Sequence, residues 1–266
     1  MAPTVTAERL QCWAVGGVGE VLPGIDLAAH LAAPIRAAGG LRPWDVVVVT
    51  HKIVSKAEGR LVELGTVEPG PDALRLADQV GSDPRLVEVI LRETRRVVRA
   101  VPGLLVAETH QGLVCANAGV DRSNVGGGGL ASLLPEDPDA SADRLQRAWL
   151  PLAGGGPLGV VVTDTFGRPF RDGGVNVAIG VAGMPAMSDH RGVEDPYGYQ
   201  LRVSTLATAD EIAGLGELVM GKVEERPLAV VRGLRWEKGA GDGDGGGAAA
   251  GARALQRDPA RDVFRW

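Results

Sequence analysis

Lysine is scarce in this chain, although positive charge is not. Only four of the 28 basic residues are lysines, namely Lys52, Lys56, Lys222 and Lys238. Arginine therefore carries the ordinary positive charge of the surface, and the position of each lysine is more informative than usual. Two of the four lie together in one short segment, HKIVSK.

Aromatic residues and cysteines are few as well. Aromatic residues make up 4% of the chain, and its two cysteines, Cys12 and Cys115, match no zinc-binding spacing. This cysteine usage is typical of a reducing cytoplasm. The formal net charge of -5 argues against a protein that neutralises a nucleic-acid backbone. A nucleotide ligand needs only a local site and is compatible with this charge.

Long apolar runs are also lacking. No segment approaches the ~20 apolar residues that a membrane span needs, and the N-terminal MAPTVTAERL lacks the pattern of a secretory signal. We therefore expect a cytoplasmic protein with no membrane contact and no nucleic-acid partner. Glycine, in contrast, is abundant at 39 of 266 residues, roughly twice its ordinary share of about 7%.

The sequence up to residue 236 predicts buried strands. Continuous β-branched runs are typical of strands that are buried on both faces of a sheet. Such runs occupy residues 45–50, 158–163 and 228–231. Three shorter apolar stretches, separated by turn signals, predict successive antiparallel strands. These stretches occupy residues 96–100, 104–108 and 113–116.

Helices are predicted between these strands. Apolar residues recur at helical spacing in three segments, and the pair Asp83 and Pro84 marks the start of a fourth helix. The three segments are residues 26–37, 141–150 and 210–220. This mixture predicts an α/β fold class with mixed sheets in one domain, residues 1–236, rather than a helical bundle or an all-β sandwich.

The chain changes character after residue 236. Residues 237–252 are rich in Gly and Ala and lack periodicity, which predicts a flexible linker. A short tail, residues 253–266, follows this linker. Either the tail docks on the rest of the chain, or it begins a further unit that is absent here.

The segment CANAGVDRSNVGGGG carries a first candidate site. A predicted strand ends there and continues into a loop in which Asp121 and Asn124 can turn their oxygen atoms outward. Hard divalent cations such as Mg²⁺ bind oxygen ligands of this kind. Asn, Asp, Gly and Ser are also common in tight turns, so this segment alone leaves both interpretations open.

The segment VVVTDTFGRPFRDGG carries a second candidate site. A buried strand ends at Asp164 and Thr165, and ligands of open α/β sheets bind at the carboxyl ends of strands. Asp164 and Thr165 could supply oxygen ligands to a metal ion, whereas Arg168 and Arg171 could hold a phosphate or a carboxylate. A helix cap with surface arginines is the alternative. Two aspartates at two strand ends make a metal site more credible than either alone.

The segment VVTHKIVSKAEGR runs from a strand directly into His51, Lys52 and Lys56. It lacks the GxxxxGK[ST] pattern of a P-loop. We interpret Lys56 as the lysine that contacts a phosphate and Lys52 as solvated, although an exposed helix face would also explain Lys56. Glycine-bearing turns at 15–24 and 218–233 are weaker candidates for backbone contact with a ligand.

Taken in order, these segments resemble the coenzyme F420-0:L-glutamate ligase family. The similarity extends over nearly all of residues 14–234 and rests on long strings such as LVCANAGVDRSN and VVVTDTFGRPFRDGGVNVAIGVAG. It implies GTP-dependent amide formation, in which the lactyl carboxylate of F420-0 is activated as an acyl phosphate and attacked by the amine of L-glutamate. GDP and phosphate are released, and further glutamates are added through γ-linkages.

The resemblance also implies roles for individual residues. Asp121, Asp164 and Thr165 match the positions that hold two divalent ions, Mg²⁺ or Mn²⁺, with potassium as an optional further ion. The catalytic roles would fall to Lys56 together with the two aspartates. The candidates for substrate binding are Arg168 and Arg171. The positions that match GTP contacts are Val18, Gly19, Glu20, Val21, His51, Lys56, Asn124, Met220, Gly221, Lys222 and Val223.

Three positions depart from the family pattern. Gly19 stands where the family typically has proline, and His51 replaces a small hydroxyl residue. Lys222 occupies a place where some members carry an acidic metal ligand, so that ligand is left unassigned. The resemblance further implies an unusual α/β architecture in an intertwined homodimer. The tail at 253–266 looks like the first residues of a nitroreductase-like, flavin-binding domain that occurs in fused members.

Two other functions are compatible with the same aspartates. A metal-dependent phosphohydrolase would use water as the attacking group, and a nucleotide-binding regulatory module would carry out no chemistry. The sequence has no Ser-His-Asp or Cys-His motif of recognisable spacing, which argues against nucleophilic catalysis. We expect a ligase whose partners are GTP, coenzyme F420-0 and L-glutamate.

Overall fold

A computed structural model describes residues 5–123, 129–236 and 251–263 of the chain. Its strands are β1 (Val5–Val15), β2 (Val46–Thr50), β3 (Leu61–Glu63), β4 (Thr94–Val101), β5 (Leu104–Thr109), β6 (Val114–Ala116), β7 (Leu130–Ser132), β8 (Gly159–Arg168), β9 (Arg171–Ala182), β10 (Ser188–Asp189), β11 (Thr205–Leu206) and β12 (Leu228–Trp236). Its helices are α1 (Leu27–Ala37), α2 (His51–Ala57), α3 (Pro71–Val80), α4 (Pro84–Arg92), α5 (Pro138–Trp149) and α6 (Thr208–Met220). None of the described helices is long and apolar enough to cross a membrane.

Five strands form the central sheet, in the order β1-β12-β2-β8-β9. Strands β2 and β8 are parallel neighbours, whereas the other neighbouring pairs are antiparallel. The four valines of β2, residues 46–49, are fully buried, as expected for a β-branched run that is covered on both faces. The mixed α/β fold class predicted from the sequence is confirmed.

Helices cover both faces of this sheet. On one face α1 and α5 pack on Val47 and Val49, with Trp149 buried among them. On the other face α6 packs on Val46 and Val48. Successive strand residues point to opposite faces, and each fully buried valine stabilises the fold by roughly 1.5–3 kcal/mol. Strand β2 is therefore a firm support for the residues that follow it.

A smaller layer contacts the central sheet through β6 and β8. Strands β4, β5 and β6 form an antiparallel sheet, which confirms the prediction of three successive antiparallel strands. Helices α3 and α4 pack against it around a separate apolar cluster that includes Ile90 and Leu105. The sequence patterns above do not predict α3, although Pro71 in its first turn and left-handed Gly81 at its end are typical helix boundaries.

Two of the four predicted helix starts, at Asp26 and Asp83, agree with the structure. Asp26 Oδ1 accepts a hydrogen bond from Ala29 N (3.1 Å), and Asp83 Oδ1 accepts one from Arg85 N (2.9 Å). Such bonds satisfy amide groups that a helix start leaves without partners. The helices predicted at 141–150 and 210–220 begin two or three residues earlier, as α5 and α6.

The described part of the tail docks on the body of the protein. Ala252 N donates to Asp139 Oδ1 (2.7 Å), and Gln256 Nε2 donates to the carbonyl oxygen of Gln111 (3.1 Å). Ala252 is buried in the same apolar cluster as Trp236. Residues 251 and 252, which the sequence analysis assigns to the linker, thus already belong to the docked segment. The rest of that linker lies outside the described residues.

Candidate active site

The carboxyl ends of β2 and β8 bring two predicted site segments together. The parallel register pairs Thr50 with Thr163, so the next residues, His51 and Asp164, emerge at the same edge of the sheet. A cavity of about 710 Å³ opens at this edge and is lined by both residues. Its volume lies within the range of roughly 300–1,000 Å³ that is usual for small-molecule sites.

Three of the four lysines of the chain line this cavity. Lys52 and Lys56 lie on α2, and Lys222 follows the end of α6. Lys56 Nζ forms no hydrogen bond or ion pair with any residue in the described ranges. Because cations that line a cleft raise the local concentration of anions, the cavity is suited to a phosphate-bearing or carboxylate-bearing ligand.

His51 is buried between two side chains of the site and is only 2% exposed. Its Nδ1 lies 3.3 Å from Ser55 Oγ, at hydrogen-bond distance. Its Nε2 lies 3.3 Å from Asp164 Oδ1, which is within ion-pair distance but not aligned as a hydrogen bond. A buried polar atom without a hydrogen bond lowers the stability of the fold. A small change in the orientation of the imidazole would give Nε2 a hydrogen bond to Asp164.

A chain of hydrogen bonds connects β8, β9 and α6 beside the cavity. Asp164 Oδ1 accepts from Thr165 N (2.7 Å), and Thr165 Oγ1 donates to Asn176 Oδ1 (2.7 Å). Asn176 N in turn donates to Glu217 Oε2 (2.9 Å), and Lys222 Nζ donates to Thr165 Oγ1 (3.4 Å). The hydroxyl of Thr165 is therefore held on two sides.

Asn176 and Glu217 are cavity residues that the sequence analysis missed. The apolar spacing of residues 210–220 predicts only an amphipathic helix, on whose polar face a glutamate is unremarkable. Asn176 lies within a strand, where no motif marked it. The available signal was the period of β9, because residues two apart on a strand share a face.

Asp121 is held by Lys52. Lys52 Nζ lies 2.5 Å from Asp121 Oδ2, and Ser123 N donates to Asp121 Oδ1 (2.8 Å). Burial raises the pKa of Asp121, but the hydrogen bonds from Lys52 and Ser123 outweigh burial and lower this pKa to about 2. The expectation that Lys52 is solvated is wrong, since its side chain is 17% exposed and forms this ion pair.

The donors at Asp164 fit one hard divalent cation. Asp164 Oδ2 accepts no hydrogen bond from the described residues, and carboxylate and hydroxyl oxygens are the ligands that Mg²⁺ prefers. Within the described ranges, no three or more His, Cys, Asp or Glu side chains gather as a metal site. Mg²⁺ is commonly bound by one or two carboxylates together with substrate phosphates, which is the arrangement that Asp164 can support.

Most residues that the resemblance assigns to GTP line the cavity. These are Val18, Gly19, Glu20, His51, Lys56, Met220, Gly221, Lys222 and Val223. Val21 is instead buried, with 4% of its surface exposed. Asn124 lies outside the described residues. Two loops that are about 200 residues apart in sequence thus meet at one cavity.

Arg168 and Arg171 lie at the tip of the β8–β9 hairpin, where they are partners in the strand register. Arg168 Nη2 donates to the carbonyl oxygen of Asp172 (2.7 Å), and its Nε donates to that of Gly173 (3.2 Å). Neither arginine is among the described residues that line the cavity. Their proposed contact with substrate stays a prediction.

A mixed α/β fold with a lysine-lined cavity at the carboxyl ends of parallel strands is typical of an enzyme that binds an anionic ligand. Residues 17–233 match the family described as F420-0:Gamma-glutamyl ligase. This match covers most of the chain, including β2, β8, α6 and all three cavity lysines. The chain therefore belongs to the F420-0:gamma-glutamyl ligase family, and it is a ligase.

Individual relatives agree with this assignment. The chain is 46% identical over 247 residues to the Coenzyme F420:L-glutamate ligase of Methanopyrus kandleri. The aligned residues make up 92% of this chain and 94% of that protein. The protein of the same name from Methanothermobacter thermautotrophicus is 42% identical over 253 residues, or 94% and 97% of the two chains. The one from Archaeoglobus fulgidus is 41% identical over 227 residues, or 85% and 88%.

Proposed function

We propose that this protein joins L-glutamate to coenzyme F420-0 in F420 biosynthesis, with GTP as the energy source. The observation that carries the proposal is the convergence of three of only four lysines on one cavity beside Asp164. The relatives are named for coenzyme F420 and L-glutamate, and their similarity extends over nearly the whole chain. A cavity of about 710 Å³ is large enough for a nucleotide.

The proposed reaction has two steps. A carboxylate oxygen of F420-0 attacks the γ-phosphorus of GTP, the bond from that phosphorus to the β–γ bridging oxygen breaks, and GDP leaves. The amine nitrogen of L-glutamate then attacks the acyl carbon, the nitrogen loses a proton, and inorganic phosphate leaves with the bonding electrons. Further glutamates would be joined through γ-carboxylates by the same chemistry. No nucleophile from the protein is required.

The cavity residues would bind and orient the substrates and neutralise the charge of the phosphates. We assign the ammonium group of Lys56 to the terminal phosphate, because it has no partner among the described residues and positive charge stabilises the phosphoryl group in transfer. Lys52 holds Asp121 and donates to the carbonyl oxygen of Ser123. Holding both reactants in one cavity favours attack by the amine over attack by water.

Asp164 would hold a divalent ion, Mg²⁺ or Mn²⁺. Such an ion neutralises charge on the nucleotide phosphates during transfer. Thr165 N donates to the Asp164 carboxylate, and His51 Nε2 lies 3.3 Å from it, so both would orient it for this purpose. Potassium is an optional further ion, which replacement of K⁺ by Na⁺ in the assay buffer would test.

We also propose that the protein acts as a homodimer in the cytoplasm. The resemblance implies an intertwined homodimer, and Phe170, Tyr197 and Val203 are 89%, 96% and 86% exposed in the single chain. Cys12 and Cys115 are both free thiols, which suits a reducing compartment. Light scattering coupled to gel filtration measures the oligomeric state directly.

Incubation with GTP, Mn²⁺, L-glutamate and F420-0 tests the proposed function. We expect GDP release that depends on L-glutamate, together with a mass gain of one or more glutamyl units on F420-0. Phosphate release without L-glutamate would instead indicate a phosphohydrolase, and binding without turnover would indicate a regulatory module. Either result contradicts the proposal.

Asp164→Asn is the variant for this assay. It preserves the volume of the side chain and removes the charge, so we expect turnover to fall at least about 100-fold because the metal ligand is lost. The melting temperature should change by only a few degrees, which circular dichroism measures. Full activity of this variant would remove Asp164 from the proposed mechanism.

A further inference from the structure

Lys222 contacts the hydroxyl group for which the resemblance implies a divalent ion. Its Nζ donates to Thr165 Oγ1 (3.4 Å), while that hydroxyl donates its own proton to Asn176 Oδ1 (2.7 Å). A threonine hydroxyl has one proton and two lone pairs. In this structure the proton of the Thr165 hydroxyl is donated to Asn176, and one of its two lone pairs accepts a hydrogen bond from the ammonium group of Lys222.

The backbone directs Lys222 to this position. Helix α6 ends at Met220, and Gly221 follows with a φ of 69°, a left-handed conformation that favours glycine. Glycine is therefore required for the turn that carries Lys222 back from the helix end toward Thr165.

The oxygen atoms beside Lys222 are suited to a cation. Thr165 Oγ1 donates to Asn176 Oδ1, and the backbone amide of the same Asn176 donates to Glu217 Oε2, so three oxygen atoms lie around this residue at the cavity wall. Glu217 brings one negative charge to this group, and the ammonium of Lys222 brings one positive charge. A divalent ion at Thr165 would have to displace the ammonium or stand next to it, and two like charges at contact distance repel each other strongly.

The described acidic side chains do not form a set of ligands for a second divalent ion. No group of three or more His, Cys, Asp or Glu that could hold a metal ion occurs in the described ranges. Asp121, the other aspartate expected to bind metal, is engaged by Lys52 at 2.5 Å. The residues around Thr165 therefore do not fit the second of the two divalent ions that the resemblance implies.

We propose that the ammonium group of Lys222 takes the place of a second divalent ion, so that the chain binds one divalent ion with each nucleotide. Lys222 would then contact the nucleotide phosphates beside Thr165, and Asp164 would hold the single divalent ion. Lys222 is a binding residue for the triphosphate in this arrangement. The inference rests on the proposed use of a nucleotide in this cavity.

The number of bound Mn²⁺ ions tests the inference without turnover. The full chain is saturated with the β,γ-imido analogue of GTP, which cannot transfer its phosphoryl group, and Mn²⁺ is titrated while free Mn²⁺ is followed by electron paramagnetic resonance. We expect one Mn²⁺ per chain at saturation. Two Mn²⁺ per chain in the unaltered protein would overturn the inference.

Lys222→Gln separates a phosphate contact from a merely structural role. We expect the affinity for the Mn²⁺-loaded analogue to fall about tenfold, the size of effect usual for loss of one charged hydrogen bond, with the metal count still one. Arg75→Gln is the matched control, because it removes a positive charge from an exposed ion pair on α3 and should change the affinity less than twofold. An unchanged affinity in Lys222→Gln would overturn the inference.

The two proposals fail in different ways. A chain that binds one Mn²⁺ but shows no L-glutamate-dependent release of GDP contradicts the ligase proposal and leaves the role of Lys222 supported. A chain that ligates glutamate and binds two Mn²⁺ contradicts the role of Lys222 and leaves the ligase proposal supported.

Discussion

Individual side chains in this cavity depend on partners that are distant in sequence. His51 and Asp164 are adjacent because β2 and β8 pair in parallel, with Thr50 opposite Thr163. Lys52 and Asp121 are 69 residues apart and form one ion pair. The sequence identified His51, Asp121 and Asp164 as candidates, but pairing is a property of strand register, and no short-range pattern reports it.

The pH dependence of Asp121 follows from its ion pair. Its folded-state pKa of about 2 lies below the unfolded value of 3.8, so the ion pair stabilises the fold above about pH 4. This contribution is lost as the pH falls from about 4 to 2. Because the carboxylate is partly exposed to water, we expect the effect on the free energy of unfolding to be below about 1 kcal/mol.

Lys52→Met tests this pair in the metal-free protein. Removal of the ammonium group should raise the pKa of Asp121 toward about 3.9, the ordinary value for aspartate, as measured by NMR titration of its carboxyl carbon. Lys56→Met is the matched control on the same helix and should leave the pKa of Asp121 in place. An Asp121 pKa near 2 in Lys52→Met would show that Ser123 alone lowers it.

At the scale of elements, acidic side chains close the outer edge of the central sheet. Strand β9 is an edge strand, and three of its amide groups donate to carboxylates rather than to another strand. Asn176 N donates to Glu217, Ala178 N to Asp210 and Val181 N to Asp139. Such cover protects an edge that could otherwise pair with another chain. Burial raises the pKa of Asp210, against the effect of its bond to Ala178.

Helix α6 contains two glycines, one packed closely against β2 and one facing open space, and substitution of each by alanine gives a matched pair of variants. A Cβ at Gly216 would lie 2.8 Å from Val48 Cγ1, whereas a Cβ at Gly214 would meet nothing within 4 Å. We expect Gly216→Ala to destabilise the fold by about 1–3 kcal/mol through overpacking. Gly214→Ala should stabilise it by about 0.5–1 kcal/mol, since alanine favours the helix.

Urea unfolding measures both effects, and activity adds a second readout. Gly216 precedes Glu217, so a shift of α6 away from β2 should also lower turnover in Gly216→Ala. Gly214→Ala should retain the turnover of the unaltered protein. Equal stabilities of the two variants would contradict the close packing of α6 on β2.

At the scale of the whole molecule, one side chain joins α5, the sheet edge and the tail. Asp139 Oδ1 accepts from Val181 N (2.8 Å) and from Ala252 N (2.7 Å). Asp139→Ala would leave both amide groups without this acceptor, and we expect a loss of about 1–3 kcal/mol in the free energy of unfolding. The docked tail should also exchange its amide protons faster.

Asp143→Ala is the control for this prediction. Asp143 lies on the same helix and forms an exposed ion pair with Arg147, so its removal should cost less than about 1 kcal/mol. Urea unfolding and hydrogen exchange of residues 251–256 are the measurements. Equal losses in the two variants would mean that Asp139 does not hold the tail.

The fold class, most of the buried strands and helices, and the family could all be predicted from the amino-acid sequence. These features depend on short-range patterns or on the order of motifs along the chain. The β-branched runs predict β2 and β8, Asp26 and Asp83 predict helix starts, and the long motifs indicate the ligase family. Which polar groups contact each other could not be predicted in this way, because those contacts depend on the packing of the whole chain. Glu217 reaches Asn176, Lys222 reaches Thr165 and Lys52 reaches Asp121 because sheet order and helix packing bring distant segments together. The scarcity of lysine marked Lys52, Lys56 and Lys222 as informative, and the fold showed that they share one cavity.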